Sequence, residues 1–326
     1  MKPFRWAYIG SGKIADRTAR SITKGAHTIT AVYSRNAETA KAFAKKYGAK
    51  VFQSVDEMLA ADCFDGVYIA TPHTSHQEYA VKAMRAGRPV LCEKPAGVNE
   101  VQVDLMLRAA QENRVYFCEA MWTWFSDVAL TVKKWIAENR IGEIKNVRMR
   151  YAIPGLIMSK SSRLLDPATA GGALLDIGIY PIAYCCRLFG NPQTILCVGR
   201  LGNGIDTKET VVLGYKGFSC TIEISFYGLW ADCVILGADG KISVPVFYKA
   251  DRAILKTKGR KEKYRGRTDY LTEFTRVAEE IKQGRTESVF VPYAATKSCV
   301  RVLDECRRQL RLVYPFEQRT KQPEQT

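Results

Sequence analysis

The chain has 326 residues, 47% of them hydrophobic and 25% charged. This composition excludes a disordered or fibrous protein, and the length suits two cores better than one. Forty-nine basic side chains against 33 acidic ones leave a formal charge of +16, a balance that favours anionic ligands such as a phosphorylated cofactor, nucleic acid or an acidic surface. The charge is dispersed apart from one dense run at 256–267, which reads as a solvated hairpin or loop. No DNA- or RNA-binding motif accompanies it, so no nucleic-acid partner is expected. The ten cysteines contain no C-x-x-C pair. Most lie in apolar stretches, as at Cys92, Cys118, Cys197 and Cys220, and read as small buried hydrophobes in a reducing compartment; core packing also accounts for the vicinal Cys185 and Cys186. Ser11, Gly12 and Lys13 interrupt the first apolar run too early for a signal peptide, and no stretch approaches the ~20 apolar residues of a membrane span. A cytoplasmic protein with no membrane partner is expected.

Residues 4–10 read as a first strand, and after Ala15 a helical pattern runs to about Lys24. Between them Gly10-Ser11-Gly12-Lys13-Ile14-Ala15 is a G-x-G-x-x-A turn. Gly10 permits the tight turn, Gly12 lets backbone approach a pyrophosphate, and Ala15 lets the helix pack on the strand. The helix start then offers unpaired N–H groups to phosphate. A second strand, 27–34, ends at Ser34-Arg35-Asn36, where an NAD site would usually carry a carboxylate for the ribose 2′-hydroxyl. A hydroxyl plus a guanidinium suits a 2′-phosphate, so NADP is expected over NAD, with NAD as the alternative.

The alternation continues with a helix 37–47, a strand 51–52, a helix 55–61 and a strand 66–70, the pattern of a doubly wound parallel sheet. Thr71-Pro72-His73-Thr74-Ser75-His76 follows, at the same sheet edge as the glycine turn. His73 and His76 have an H-x-x-H spacing but no third ligand nearby, so capping and cofactor contact are expected there and no metal. A short strand, 90–92, then stops at Glu93-Lys94-Pro95. Ligands of open α/β sheets bind outside the carboxyl ends of the strands, so Lys94 faces a crevice and is the first catalytic candidate. A helix 99–113 and a strand 115–121 close the first domain.

Together Gly10–Ala15, Ala70-Thr71-Pro72 with His76, Glu93-Lys94-Pro95 and Glu119-Ala120-Met121-Trp122 resemble the glucose-fructose oxidoreductase, inositol dehydrogenase and rhizopine-catabolism (Gfo/Idh/MocA) family, with most likeness to its dimeric dihydrodiol dehydrogenase branch. The resemblance implies a Rossmann domain over 1–121 and a substrate-binding and dimerisation domain over 122–326. The second is expected to be an α/β unit with a large, open-faced, mostly antiparallel sheet and to form a homodimer through it. Strand-like segments at 146–152, 194–201, 209–215, 218–226 and 232–236 suit that domain, and an uncovered apolar sheet face would need a partner. Asp176-Ile177-Gly178-Ile179-Tyr180 resembles the family's second signature, whose last residue is the acid/base. Inositol dehydrogenase-like members have His there, so Tyr180 shifts the expectation towards dihydrodiols and sugars.

Hydride transfer needs a carbon held against the nicotinamide and a group that moves the hydroxyl proton. Tyrosine titrates near ~10, but an ammonium ~4 Å away interacts by about 4 kcal/mol at an effective dielectric of ~20 and can stabilise phenolate. Tyr180 is therefore expected to be the acid/base, with Lys94 lowering its pKa and orienting the substrate oxygen; the swapped assignment is chemically open. Asp176, on the same face as Tyr180 if the segment is helical, is expected to orient Lys94 or bind a substrate hydroxyl. Arg163, Trp122 and Trp124 are expected pocket-lining residues for a sugar or diol. Two other readings carry different expectations. A non-catalytic NAD(P)-sensing regulator would have no need of both Lys94 and Tyr180. A redox-assisted NAD-dependent glycosidase would retain NAD(H) through its cycle.

Overall fold

A computed structural model describes residues 2–155 and 162–319. In chain order its elements are β1 (Phe4–Ile9), α1 (Lys13–Ile22), β2 (His27–Tyr33), α2 (Ala37–Tyr47), β3 (Lys50–Val51), α3 (Val55–Ala60), β4 (Gly66–Ile69), α4 (His76–Arg85), β5 (Val90–Glu93), α5 (Glu100–Asn113), β6 (Phe117–Ala120) and α6 (Asp127–Ala137). Then come β7 (Ile144–Ala152), α7 (Ile179–Phe189), β8 (Thr194–Gly202), β9 (Ile205–Tyr215), β10 (Phe218–Ser225), β11 (Trp230–Gly237), β12 (Gly240–Pro245), β13 (Arg252–Thr257), β14 (Arg260–Arg265), α8 (Tyr270–Lys282), α9 (Tyr293–Leu310) and α10 (Pro315–Arg319). The chain forms two compact units, Met1–Phe125 with Asp269–Thr296, and Ser126–Thr268 with Lys297–Thr326.

The first unit is a six-stranded sheet in the order β3-β2-β1-β4-β5-β6, parallel throughout. Its strands are buried on both faces, as helices on either side of a parallel sheet require. Several helices start where a side chain caps the first turn: Asn36 accepts from Thr39 N, Ser54 from Glu57 N and Asn99 from Gln102 N. Because strand order reverses between β1 and β4, the loops that follow those two strands flank a crevice at the carboxyl edge. The sequence reading assigns no element to 270–282. That segment is α8, and its Phe274 packs edge-on against Trp6 and Tyr68, each ring centroid 4.9 Å away.

The second unit has eight strands in the order β14-β13-β12-β11-β7-β10-β9-β8, antiparallel except for the β7–β10 pair. The basic run at 256–267 is the β13–β14 hairpin. Val147, Met149, Cys220, Ile222, Cys233 and Ile235 fill the inner face. The alternate residues Leu196, Val198, Arg148 and Leu236 point outward and are exposed.

One expectation needs correction. The helical run Pro167–Phe189 is long and apolar enough to cross a membrane by length and composition, whereas the sequence reading finds no such stretch. Of its apolar window, 78% is buried within the protein, and it contains Asp176, as suits a core helix.

Candidate active site

The first unit brings the expected cofactor residues together at one sheet edge. Gly10 has φ +102°, and a Cβ there would lie 2.8 Å from Ala70 O. The glycine turn and the loop opening with Thr71 and Pro72 are thus in backbone contact, which only glycine allows. Helix α1 starts at Gly12 with no capping side chain, so its first amides, near Lys13 and Ile14, are open to an anion. Beside them a groove of about 720 Å³ is lined by Ser11, Gly12, Lys13, Arg17, Arg20 and Lys46 among others. Asp16 also lines the groove and pairs with Arg20 and Lys46; four basic side chains, three of them absent from the sequence-based set, against this one carboxylate leave a net positive groove that fits a pyrophosphate carrier. Ser34 and the exposed Arg35 follow β2 directly, where a 2′-phosphate would be read.

Lys94 is half-buried, and buried polar side chains frame the backbone on either side of it. Glu93 accepts from Lys94 N at 3.2 Å and from the Tyr68 hydroxyl at 2.5 Å. The Lys94–Pro95 peptide is cis. His76, fully buried, has Nδ1 2.9 Å from Pro95 O and Nε2 2.8 Å from Thr71 O. His76 therefore ties the Thr71 loop to the lysine loop. Glu119 accepts from Ala96 N and from the Thr296 hydroxyl, each at 3.0 Å. Burial pushes its carboxyl up from the ordinary range, opposed by the Ala96 N–H, Thr296 and the Lys94 charge. Burial, followed by the Glu93 charge, holds Tyr68 well above its usual value, so it remains a hydroxyl donor to Glu93. Among the described residues no group of three or more His, Cys, Asp or Glu side chains could hold a metal.

Trp122 and Trp124 lie on a single 3₁₀ turn, Trp122–Phe125, in this first unit. Trp122 stacks on Tyr270 at 4.9 Å, and Trp124 is buried in the core.

In the second unit the segment before α7 is not a plain α-helix. Leu174–Gly178 forms one π-turn that runs straight into α7, a local widening that often marks functional positions. It carries Asp176, and Tyr180 follows two residues beyond its end. Arg163 Nη2 lies 2.5 Å from Asp176 Oδ1, and Nη1 lies 3.4 Å from Oδ2. The Asp176 side chain is 3% exposed and that of Arg163 35%. Tyr180 is half-buried and meets Tyr151 edge-on at 6.0 Å and Tyr248 at 6.2 Å, while those two rings stack at 4.5 Å. Tyr151 and Tyr248 escape the sequence reading, since only pairing of distant strands and turns gathers them around Tyr180.

The profile of the GFO/IDH/MocA oxidoreductase family, NAD-binding Rossmann fold, matches residues 4–120, and that of the GFO/IDH/MocA C-terminal domain matches 129–243. Scyllo-inositol 2-dehydrogenase (NADP(+)) IolU of Bacillus subtilis is 33% identical over 96% of this chain and 99% of its own. Trans-1,2-dihydrobenzene-1,2-diol dehydrogenase of Mus musculus is 28% identical over 97% of this chain and 99% of its own. In fold, the chain superposes with a TM-score of 0.84 on KijD10, a 3-ketoreductase from Actinomadura kijaniata crystallised with NADP and TDP-benzene; that match covers 94% of this chain and 98% of the other at 22% identity. Family profiles over both halves, together with a relative of 33% identity along nearly the whole length, establish that this chain belongs to the GFO/IDH/MocA oxidoreductase family.

Proposed function

We propose that the protein is an NADP-dependent oxidoreductase that exchanges a hydride with a secondary alcohol or carbonyl of a cyclic polyol, sugar derivative or trans-dihydrodiol. The observation that carries this reading is the frame of Glu93, His76 and Glu119 around the backbone of Lys94, a degree of fixation suited to a group that must hold a substrate oxygen. Bound nicotinamide would supply the hydride acceptor or donor. The amides at the start of α1 and the basic groove bind the phosphates, and Ser34 with Arg35 reads the 2′-phosphate. Lys94 orients the substrate oxygen and stabilises its negative charge. Tyr180 moves the hydroxyl proton, and Asp176 with Arg163 holds a neighbouring hydroxyl of the substrate.

Tyr180 in place of histidine shifts the sequence expectation away from inositols. A 33% identical relative that is itself an inositol dehydrogenase brings cyclic polyols back into the substrate class. Nine of the ten cysteines are buried, which fits residence in a reducing compartment such as the cytoplasm. The exposed Leu196 and Val198 on the outer sheet face support a homodimer formed through β8 and its neighbours.

The test follows nicotinamide absorbance with NADP and with NAD against scyllo- and myo-inositol, aldoses and a trans-dihydrodiol. NADP turnover that falls by roughly a hundredfold or more in Tyr180→Phe and in Lys94→Ala, with NADP still bound, is the expected result. Cofactor binding without any turnover would overturn the reading in favour of a regulator. Retained NAD(H) with cleavage of a glycoside and no net absorbance change would favour a redox-cycling glycosidase.

A further inference from the structure

Strand β9 buries Glu209, Val211 and Leu213 on its inner face, and simple alternation would turn Asp206 outward. The pairing with β8 slips here: Arg200 faces Lys208, but Leu201 faces Asp206. Thr207 is thus an inserted residue, and such a bulge rotates the preceding side chain onto the inner side. Asp206 is 0% exposed and Glu209 1%. Asp206 Oδ2 accepts the N–H of Leu174 at 2.5 Å. Gly172 makes the approach possible, because a Cβ there would lie 2.2 Å from Asp206 Oδ1. Leu174 opens the π-turn that carries Asp176 and leads to Tyr180. The first amides of a helical turn lack partners within it, and a carboxylate at that end is the group best suited to hold one.

We propose that Asp206 is a positioning residue for the reaction described above: by gripping the Leu174 amide it fixes the π-turn that sets Asp176 and Tyr180, while Glu209 holds its other oxygen through a shared proton. Among the described residues no other group hydrogen-bonds Asp206 Oδ1 or either Glu209 oxygen, and one carboxyl-to-carboxylate hydrogen bond satisfies Asp206 Oδ1 and one of the two Glu209 oxygens. Burial, with the Asp206 charge added, keeps Glu209 far above the ordinary carboxylate range, and it therefore carries the proton. Burial also raises Asp206 to about 6, opposed by the Leu174 N–H and by Glu209. The groups that face the pair are Asp176 on the π-turn, Tyr314 ahead of α10, Cys197 on β8 and Cys306 on α9.

The proposal rests on Tyr180 acting on substrate, so its test has one arm that needs no turnover. Amide exchange of the peptide spanning 172–180, corrected for intrinsic rates, is followed against pH in the wild type and in Asp206→Asn, Asp206→Ala and Gly172→Ala. Opening of the turn removes the Leu174 N–H, which favours the charged form, while Asp206 stays buried; the opened form therefore binds the proton more readily, and in the wild type protection of this peptide falls as pH drops through about 6. Asp206→Asn keeps an acceptor that does not titrate, so its protection stays level, and the other two variants lose protection at every pH. In the second arm, kcat of the wild type declines through the same range on the acid side, and the decline disappears in Asp206→Asn. Asp206→Ala and Gly172→Ala lose about 10- to 100-fold in kcat with KM for NADP unchanged. Protection that ignores pH in the wild type, or an acid decline that survives in Asp206→Asn, would overturn the assignment. If no substrate is turned over, the reading of the reaction fails and the exchange arm alone decides whether Asp206 holds the turn.

Discussion

Arg163 and Asp176, thirteen positions apart, meet as a two-pronged ion pair with N···O distances of 2.5 and 3.4 Å. The carboxylate is buried and the guanidinium is about one-third exposed, so one plane of the pair faces the core and the other faces outward. The sequence reading proposes both residues for substrate contact without linking them. Breaking a fully buried pair costs roughly 3–5 kcal/mol, and the exposure of Arg163 reduces that to about 1–3 kcal/mol. Arg163→Ala is expected to lower the unfolding free energy measured by urea titration by that amount and to raise KM for the substrate, whereas Arg163→Lys recovers part of the stability and little of the substrate affinity. Unchanged KM in both variants would remove the pair from the substrate site.

Arg35 is exposed directly after β2, and its planar fork of donors suits a bound 2′-phosphate. A charge-assisted contact of this kind contributes roughly 1.5–3 kcal/mol, or about 10- to 100-fold in affinity. Titration of nicotinamide fluorescence should therefore show NADPH binding weakened by that factor in Arg35→Ala, with NADH binding unaltered. Equal losses for both cofactors would place the specificity elsewhere.

His27 closes the end of β2 in the first unit. It accepts from Trp6 Nε1 at 3.3 Å through Nδ1, and its Nε2 lies 3.1 Å from the Thr275 hydroxyl on α8. Burial, with a contribution from the Lys282 charge, depresses its pKa from the ordinary 6.5 to about 4. Between those values the unfolded chain binds the proton and the folded one does not, so stability rises with pH through this window. The neutral ring contributes up to about 3 kcal/mol above the unfolded pKa, lost progressively as pH falls through the folded one. Urea unfolding should show this loss in the wild type, and the difference between wild type and His27→Asn should shrink as acid is added. A difference that stays constant with pH would contradict it.

On the outer sheet face Val198 is 69% exposed and Leu196 62%. Both lie on β8, whose far edge has no neighbouring strand in the described sheet. With Leu196→Glu and Val198→Glu combined, the species seen by sedimentation is expected to shift from dimer to monomer while the circular dichroism spectrum is retained. A wild type that sediments as a monomer would refute the dimer reading.

The first unit was legible in the sequence almost element by element, because local chemistry marks its boundaries. Asn36, Ser54 and Asn99 announce helices, glycine marks the phosphate turn, and uninterrupted apolar runs mark strands buried on both faces. Lys94 stood out because a charge at a strand end is local information. What surrounds it did not, since Glu119 and His76 reach it from different strands and loops. In the second unit five of the eight strands are readable, β12, β13 and β14 are not, and neither is the strand order, so Tyr151, Tyr248 and Asp206 have no place near Tyr180 or its turn in a sequence reading. The bulge at Thr207 reverses the alternation on which a sequence reading depends.

The path of the chain also bears on how the protein is made. Residues 269–296 belong to the same unit as residues 1–125, and Phe274 covers Trp6 and Tyr68 at the heart of the parallel sheet. On a ribosome, the nucleotide-binding lobe emerges first yet cannot cover that part of its core until α8 has been synthesised, after the whole eight-stranded sheet. Its aromatic centre is therefore exposed for most of translation, and a message truncated after the sixth strand would yield a lobe with Trp6 uncovered. Genetic exchange that swapped the two halves at residue 125 would sever the lobe from its own cover.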